Sequence, residues 1–284
     1  MNAPPLNLLT SESTSRSATV EGLTLRYHEA GRGDPLICIH GGGPGASAWS
    51  NYNRNIGALA ERFRVIAVDL PCFGESTKLR LKEPRIAFFA RIVRGLMDEL
   101  EIPRAHFVGN SLGGATTMRL AADTPDRAGR LVLMGPAVSL SLLSPFPSEG
   151  LKHMTGYYHG AGPSLEKMRA FIEIMVADSS GITEELVRTR FEMSVRPDIL
   201  DNPLGPPSVE SPFEPMWPVA PQIAHETLLV WGREDRVIPV DTAIFLLSQM
   251  KNARLHVFPN CGHWAQWEKS DEFNTLVAGF VSGA

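Results

Sequence analysis

The chain has 284 residues, 43% of them hydrophobic and 20% charged, with a formal net charge of −4. That length and composition fit a globular protein able to bury a large core, either as one α/β domain or as a core carrying an insert. They give no reason to expect nucleic acid or an anionic membrane as partner, and no apolar stretch is long enough to span a bilayer. Residues 1–18 are rich in Ser, Thr, Asn and Pro without periodicity and read as a loose arm, with no secretory signal pattern. From Val20 extended and helical segments alternate. Val20–Tyr27, Pro35–Ile39, Arg64–Asp69, Ala105–Asn110 and Arg130–Met134 read as strands. Ala58–Arg62, Ile86–Leu100 and Leu112–Asp123 read as helices. After Gly135-Pro136 the alternation stops: Leu165, Met168, Phe171, Ile172 and Met175 fall at helical spacing, and a second helix is expected from about Thr183. The proline-dense stretch 197–221 excludes regular helix or central strand. Thr227–Trp231 and Arg254–Phe258 then read as strands, and Asp241–Met250 and Asp271–Val281 as helices. The expected architecture is a mostly parallel sheet flanked by helices, with a core of 19–136 and 209–284 and a helical lid of 137–208.

Chemistry concentrates at Gly109-Asn110-Ser111-Leu112-Gly113, set between an apolar run and a helical segment. This is the Gly-x-Ser-x-Gly pattern in which a tight strand-to-helix turn presents a serine at the top of a sheet. A nucleophilic serine needs a base, and the base needs an orienting carboxylate. In a sheet of this kind they follow in the order Ser, acid, His, each just past a strand. Asp235 follows Thr227–Trp231 and His263 follows Arg254–Phe258, with Glu234 the next candidate acid. His28, His106 and His256 lie within strand patterns, and His153, His159 and His225 have solvated or lid-packing readings.

His40-Gly41-Gly42-Gly43-Pro44-Gly45 follows Pro35–Ile39. Such a loop supplies a backbone N–H, here Gly42, which with that of Leu112 would form an oxyanion hole; His40 reads as structural. The same loop permits a rival reading. Gly41, Gly43 and Ala46 satisfy a dinucleotide fingerprint, with Asp69 as a ribose-binding acid. Pro44 counts against it by removing an N–H, and it leaves Ser111, Asp235 and His263 without a role. No zinc-binding signature is present and no metal is needed. The three cysteines, Cys38, Cys72 and Cys261, read as free thiols in a reducing cytoplasm.

With these residues in place, the chain resembles the meta-cleavage product hydrolases of the α/β-hydrolase superfamily from about Val20 onward. The match is most specific in His40–Ala46 continuing to Trp49-Ser50-Asn51, in Gly109-Asn110-Ser111, in Leu133-Met134-Gly135-Pro136 and in Cys261–Glu268. The resemblance implies hydrolysis of a carbon–carbon bond in a 2-hydroxy-6-oxohexa-2,4-dienoate without a cofactor, by a protein that is commonly a homo-oligomer. It implies Arg190 for the substrate carboxylate, with Gly43, Asn51, Asn110 and Trp264 around the dienoate. It further implies Met175 and Val237 at the 6-substituent, where several relatives carry aromatic residues, as they do at Ala177. With smaller residues there, a phenyl or bulkier 6-substituent is expected. Cys72 departs from the family, which usually has glycine at that position. A hydrolase of a steroid-derived ring-fission product, an esterase, perhydrolase or lyase with the same triad, and a non-catalytic ligand receptor, remain alternatives.

Overall fold

The computed structural model describes residues 9–201 and 209–283. Eight strands form one sheet: β1 (Ser15–Val20), β2 (Leu23–Ala30), β3 (Pro35–Ile39), β4 (Arg64–Val68), β5 (Ala105–Asn110), β6 (Ala128–Met134), β7 (Thr227–Gly232) and β8 (Ala253–Phe258). Their order is β1-β2-β4-β3-β5-β6-β7-β8. β1, β2 and β4 pair antiparallel, whereas β4-β3-β5-β6-β7-β8 are parallel throughout. The inner parallel strands β3 to β7 are buried on both faces, so they read as continuous apolar runs, whereas β8 at the edge is half-buried. Alternation still sorts their side chains. Ile37, Ile39, Ile66, Val68, Phe107, Leu131, Leu133, Leu229 and Trp231 feed one core, and Leu36, Cys38, Val65, Ala67, Val108, Val132, Met134, Leu228 and Val230 the other.

The helices are α1 (Ser11–Thr14), α2 (Ala48–Tyr52), α3 (Ile56–Ala60), α4 (Arg85–Glu99), α5 (Leu112–Asp123), α6 (Glu149–Gly156), α7 (Leu165–Met175), α8 (Glu184–Ser194), α9 (Pro197–Asp201), α10 (Asp241–Gln249), α11 (Ala265–Glu268) and α12 (Ser270–Ser282). In the insert between β6 and β7, α6, α7 and α8 start where the sequence offers a hydroxyl cap. Ser164 accepts the Lys167 N–H at 3.1 Å to open α7, and Thr183 accepts the Leu186 N–H at 3.1 Å to open α8. Each such cap contributes about 1 kcal/mol. Beneath the insert, Met168, Phe171, Ile172 and Met175 join the first core.

Four expectations need correction. The arm of 1–18 is not loose over its described part: Ser11–Thr14 is a capped helical turn and Ser15–Val20 pairs with β2. Residues 1–8 lie outside the described residues. Only Ala18 and Val20 of this outer strand turn to the core, too few to show an apolar alternation, and the Thr14 hydroxyl 2.9 Å from His28 Nδ1 helps to fix the segment. The expected strand Val20–Tyr27 is instead the join of β1 and β2. Glu21 and Gly22 both take positive φ, 50° and 79°, as a two-residue hairpin turn requires. The short helix expected at Ala58–Arg62 runs from Ile56 to Ala60. Within 197–221, Pro197 opens the helical turn α9, where its missing N–H costs nothing. Residues 202–208 of that stretch lie outside the described residues.

Candidate active site

β3, β5, β6, β7 and β8 deliver their C-terminal ends to one edge of the sheet, and every expected catalytic group follows one of them. Ser111 joins β5 to α5 with φ 52° and ψ −111°, a strained backbone that persists only when its surroundings hold it. They do so on both sides. The Ser111 N–H donates to Met134 O at 2.9 Å and its carbonyl accepts the Ala137 N–H at 2.9 Å. The flanking glycines are dictated by contact: a Cβ on Gly109 would stand 2.5 Å from Gly113 O, and one on Gly113 would stand 2.0 Å from Ile39 O. Leu112 is the first residue of α5, so its N–H has no partner within the helix and is available to a developing anion. Gly42 lies against it, since a Cβ there would be 2.9 Å from Leu112 Cδ2.

Asp235 and His263 form the expected pair. His263 Nδ1 donates to Asp235 Oδ2 at 2.7 Å, while Asp235 Oδ1 accepts the Val237 and Ile238 N–H groups at 2.8 and 2.9 Å. The carboxylate is thereby fixed at both oxygens, and it selects the imidazole tautomer whose Nε2 can receive a proton. Both residues are buried. Glu234, the alternative acid, is spent on structure: it accepts the Cys261 N–H at 3.0 Å and pairs with Arg233.

The glycine loop reaches α2 through two turn residues and the Ser47 capping box, rather than opening a helix at a phosphate site. Asp69 accepts the Ala48 N–H at 2.6 Å and the Glu75 N–H at 2.8 Å. A Cβ on Gly74 would lie 2.0 Å from its carboxylate. Such an enclosed, backbone-bound carboxylate is not presented to a ribose, and the dinucleotide reading loses its acid. His40 is structural, as expected. It is fully buried, its Nδ1 donates to Gly41 O at 2.8 Å, and its Nε2 accepts the Leu70 N–H at 3.0 Å. Burial lowers its pKa. Close to this loop Cys72 has φ 73°, the left-handed conformation that glycine adopts without cost.

Arg190 on α8 is 2% exposed and reaches the glycine loop. It donates to Pro44 O at 2.9 Å and to Ser50 Oγ at 3.3 Å, and its guanidinium carbon stands 5.2 Å from the Trp264 ring centre. Among the described residues its Nε has no hydrogen-bond partner and no carboxylate lies within ion-pair distance of it. Desolvation drives its pKa down to about 10. Asn110 is also buried with an unpaired Oδ1, its amide donating to Met134 O at 3.3 Å. Asn51 props the glycine loop by accepting the Gly41 N–H at 3.5 Å. Gly43 touches α7 and α8: a Cβ there would lie 2.6 Å from Phe171 and 3.4 Å from Arg190.

Trp264, Met175 and Val237 are buried, and the Trp264 N–H donates to Met175 O at 3.1 Å. Ala177 does not share their environment. It is exposed just past α7, so it contributes no volume to a buried pocket. It instead borders an open cleft of about 890 Å³ with Asp235, Arg236 and Pro147. The roles of two residues, Arg236 and Glu268, escaped the sequence reading. Both bind backbone at the end of α7, contacts that no local pattern announces.

Residues 36–276 match the model of the alpha/beta hydrolase family. A 2-hydroxy-6-oxo-6-phenylhexa-2,4-dienoate hydrolase of Comamonas testosteroni is 44% identical over 96% of this chain and 98% of its own. The chain belongs to the meta-cleavage product hydrolases. A second member, a 2-hydroxy-6-oxononadienedioate/2-hydroxy-6-oxononatrienedioate hydrolase of a Pseudomonas species, is 42% identical over 91% of this chain and 92% of its own. The solved meta-cleavage product hydrolase of Pseudomonas fluorescens superposes with a TM-score of 0.85 at 36% identity, covering 94% of this chain and 97% of that one. The fold seen here, an eight-stranded, mostly parallel sheet flanked by helices, is that of this family.

Proposed function

We propose that this serine-dependent carbon–carbon bond hydrolase cleaves a 2-hydroxy-6-oxohexa-2,4-dienoate bearing an apolar 6-substituent of phenyl size or larger. The products would be 2-hydroxypenta-2,4-dienoate and a carboxylic acid, in the breakdown of aromatic compounds. The observation that carries this reading is the buried, unpaired Arg190 beside the glycine loop. A cation held away from water without a counter-ion is costly, and an anionic substrate would relieve that cost. A carboxylate on the substrate, received by the free Nε edge, would also align the scissile bond. Asn110 Oδ1 offers an acceptor for the substrate's enol hydroxyl, and Asn51, Gly43 and the Trp264 indole complete its surroundings.

The chemistry follows from the leaving group. A carbanion departs only when delocalised, so the dienol must first become a ketone by proton transfer. His263 is the base we assign to this step and to the activation of Ser111. Ser111 or a water then adds to the C6 carbonyl, whose oxyanion is received by the Gly42 and Leu112 N–H groups. The bond to the dienolate breaks as its electron pair moves onto the C2 oxygen, which takes a proton from His263 to give 2-hydroxypenta-2,4-dienoate. Where Ser111 was the nucleophile, a water activated by His263 then hydrolyses the acyl ester to the carboxylic acid.

Met175 and Val237 support an apolar acyl site. The nearest cation in sequence, Arg236, is turned to the Glu173 and Val176 carbonyls at 2.6 and 3.2 Å, leaving it poorly placed for a second substrate carboxylate. We read residues 137–208 as the lid and 19–136 with 209–284 as the core. No helix among the described residues is long and apolar enough to cross a membrane. Three buried free thiols favour cytoplasmic residence, and we propose a homo-oligomer, which light scattering would test. The deciding experiment for function mixes the protein with the yellow 6-phenyl dienoate and follows its absorbance. Rapid bleaching with release of benzoate is expected; turnover of simple aryl esters alone would overturn the assignment.

A further inference from the structure

We propose that Glu268 is a positioning residue for the reaction, holding the base loop and the end of α7 at a fixed separation. Its carboxylate is shared between two segments distant in sequence. Oε1 accepts the Ala177 and Asp178 N–H groups at 2.8 and 3.1 Å, and Oε2 accepts the Gly262 N–H at 2.6 Å. Ala177 and Asp178 come just after Val176, which caps the end of α7, and Gly262 directly precedes His263. One side chain thus ties the backbone beyond Met175 to the backbone before the base.

The surrounding contacts make this tie consequential. The two segments run flush: Trp264 N–H donates to Met175 O at 3.1 Å, and a Cβ on Gly262 would lie 2.7 Å from Met175 O and 2.8 Å from Val176. From the acid side Arg236, next to Asp235, donates to the Glu173 and Val176 carbonyls that close α7. The end of α7 is therefore gripped by neighbours of both members of the Asp235–His263 pair. Glu268 is the only one of these grips that is a negative charge accepting three N–H donors at once. Charge-assisted bonds of this kind are roughly twice as strong as neutral ones. Without it, Gly262 N–H loses its acceptor and the loop ending in His263 is released from α7. A shift of about 1 Å in a reacting group costs on the order of a hundredfold in rate.

The proposal rests on His263 being the base, and its test separates that reading from the role of Glu268. The full-length protein and its Glu268→Ala and Glu268→Gln variants are reacted with a fluorophosphonate, which labels an activated serine and counts competent sites. They are also assayed on p-nitrophenyl acetate, too small to reach Met175. In Glu268→Ala, labelling rate and kcat per labelled site are expected to fall at least about tenfold on the basis of displaced geometry, with KM for the acetate nearly unchanged. Glu268→Gln keeps an acceptor toward Ala177 and Asp178 but sets an amide against Gly262 N–H, so its loss should be partial. A purely structural role would lower thermal stability and leave the rate per labelled site as in the unmodified protein, and that result would overturn the proposal. Should Glu268→Ala fail to fold, the Gln variant alone decides, by the same rate per site. If the unmodified protein turned over no dienoate, the substrate assignment would fail while the labelling comparison still stood.

Discussion

The Arg190 guanidinium lies 5.2 Å from the centre of the Trp264 ring, and this aromatic face, with one carbonyl and one hydroxyl, stands in for a counter-ion. Such a contact contributes about 2 kcal/mol when desolvated, less than several kcal/mol for a buried unpaired charge. The free protein therefore carries a stability penalty at the position where we place the substrate carboxylate.

Arg190→Gln should accordingly lower kcat/KM toward the dienoate by at least about tenfold, from loss of a charge-assisted pair of roughly 1.5–3 kcal/mol. Hydrolysis of a neutral aryl ester should change little, and the melting temperature of the free protein should hold or rise. A fall shared equally by both substrates would make Arg190 a structural residue.

Ser111→Ala should reduce turnover by several orders of magnitude, because triad members act as a unit. It should still allow ketonisation by His263, so a bound intermediate with red-shifted absorbance should accumulate in stopped-flow traces. His263→Ala should abolish the intermediate as well. Undiminished turnover by Ser111→Ala would remove the nucleophile assignment.

The unmodified protein should prefer a 6-phenyl to a 6-methyl dienoate, since each apolar methylene left unburied forfeits about 0.8 kcal/mol. Met175→Trp should reverse the order by filling the site. Comparison of kcat/KM for the two substrates in both proteins checks this, and a methyl preference before substitution contradicts the pocket.

His40 sets a pH dependence of stability. Its Nε2 accepts the Leu70 N–H, so a proton there would face another donor, and burial lowers its pKa. His28, also buried, is lowered for the same reason. With folded pKa values below the unfolded value of about 6.5, the unfolded chain binds the proton first as pH falls. The stability is fully present above about pH 6.5 and is lost as pH drops through the window beneath it. Urea midpoints at pH 7.5 and pH 5 should show the decline, and His40→Gln, though less stable overall, should show a shallower one. An equal slope in both proteins would absolve His40.

The features legible in sequence were those whose cause is local. Gly109 and Gly113 bracket Ser111 because the turn leaves no room for a Cβ, so the constraint is written beside the residue it serves. Asp235 and His263 were legible because each trails an apolar strand. By contrast β1 takes its order from pairing with β2, and its polar residues carry no sign of a partner. The five-residue α2 depends on the reciprocal Ser47–Ser50 cap, too short a signal for any periodicity. Ala177 was read as a pocket residue by likeness to relatives, yet the chain turns outward just after α7. Cys72 marked a departure in sequence, but only its positive φ shows that the turn keeps the geometry glycine would give it. Arg236 and Glu268 bind backbone 63 and 91 residues away, which no reading of neighbours can anticipate.

The strained turn at Ser111 has a consequence for the history of each molecule. Its conformation depends on Met134 of β6 and on Ile39 of β3, which come from either side of it in the chain. A ribosome-bound fragment ending before β6 thus holds the serine without the geometry that makes it reactive. The nascent chain is spared a premature hydrolase, and chemical competence arrives only with the assembled sheet.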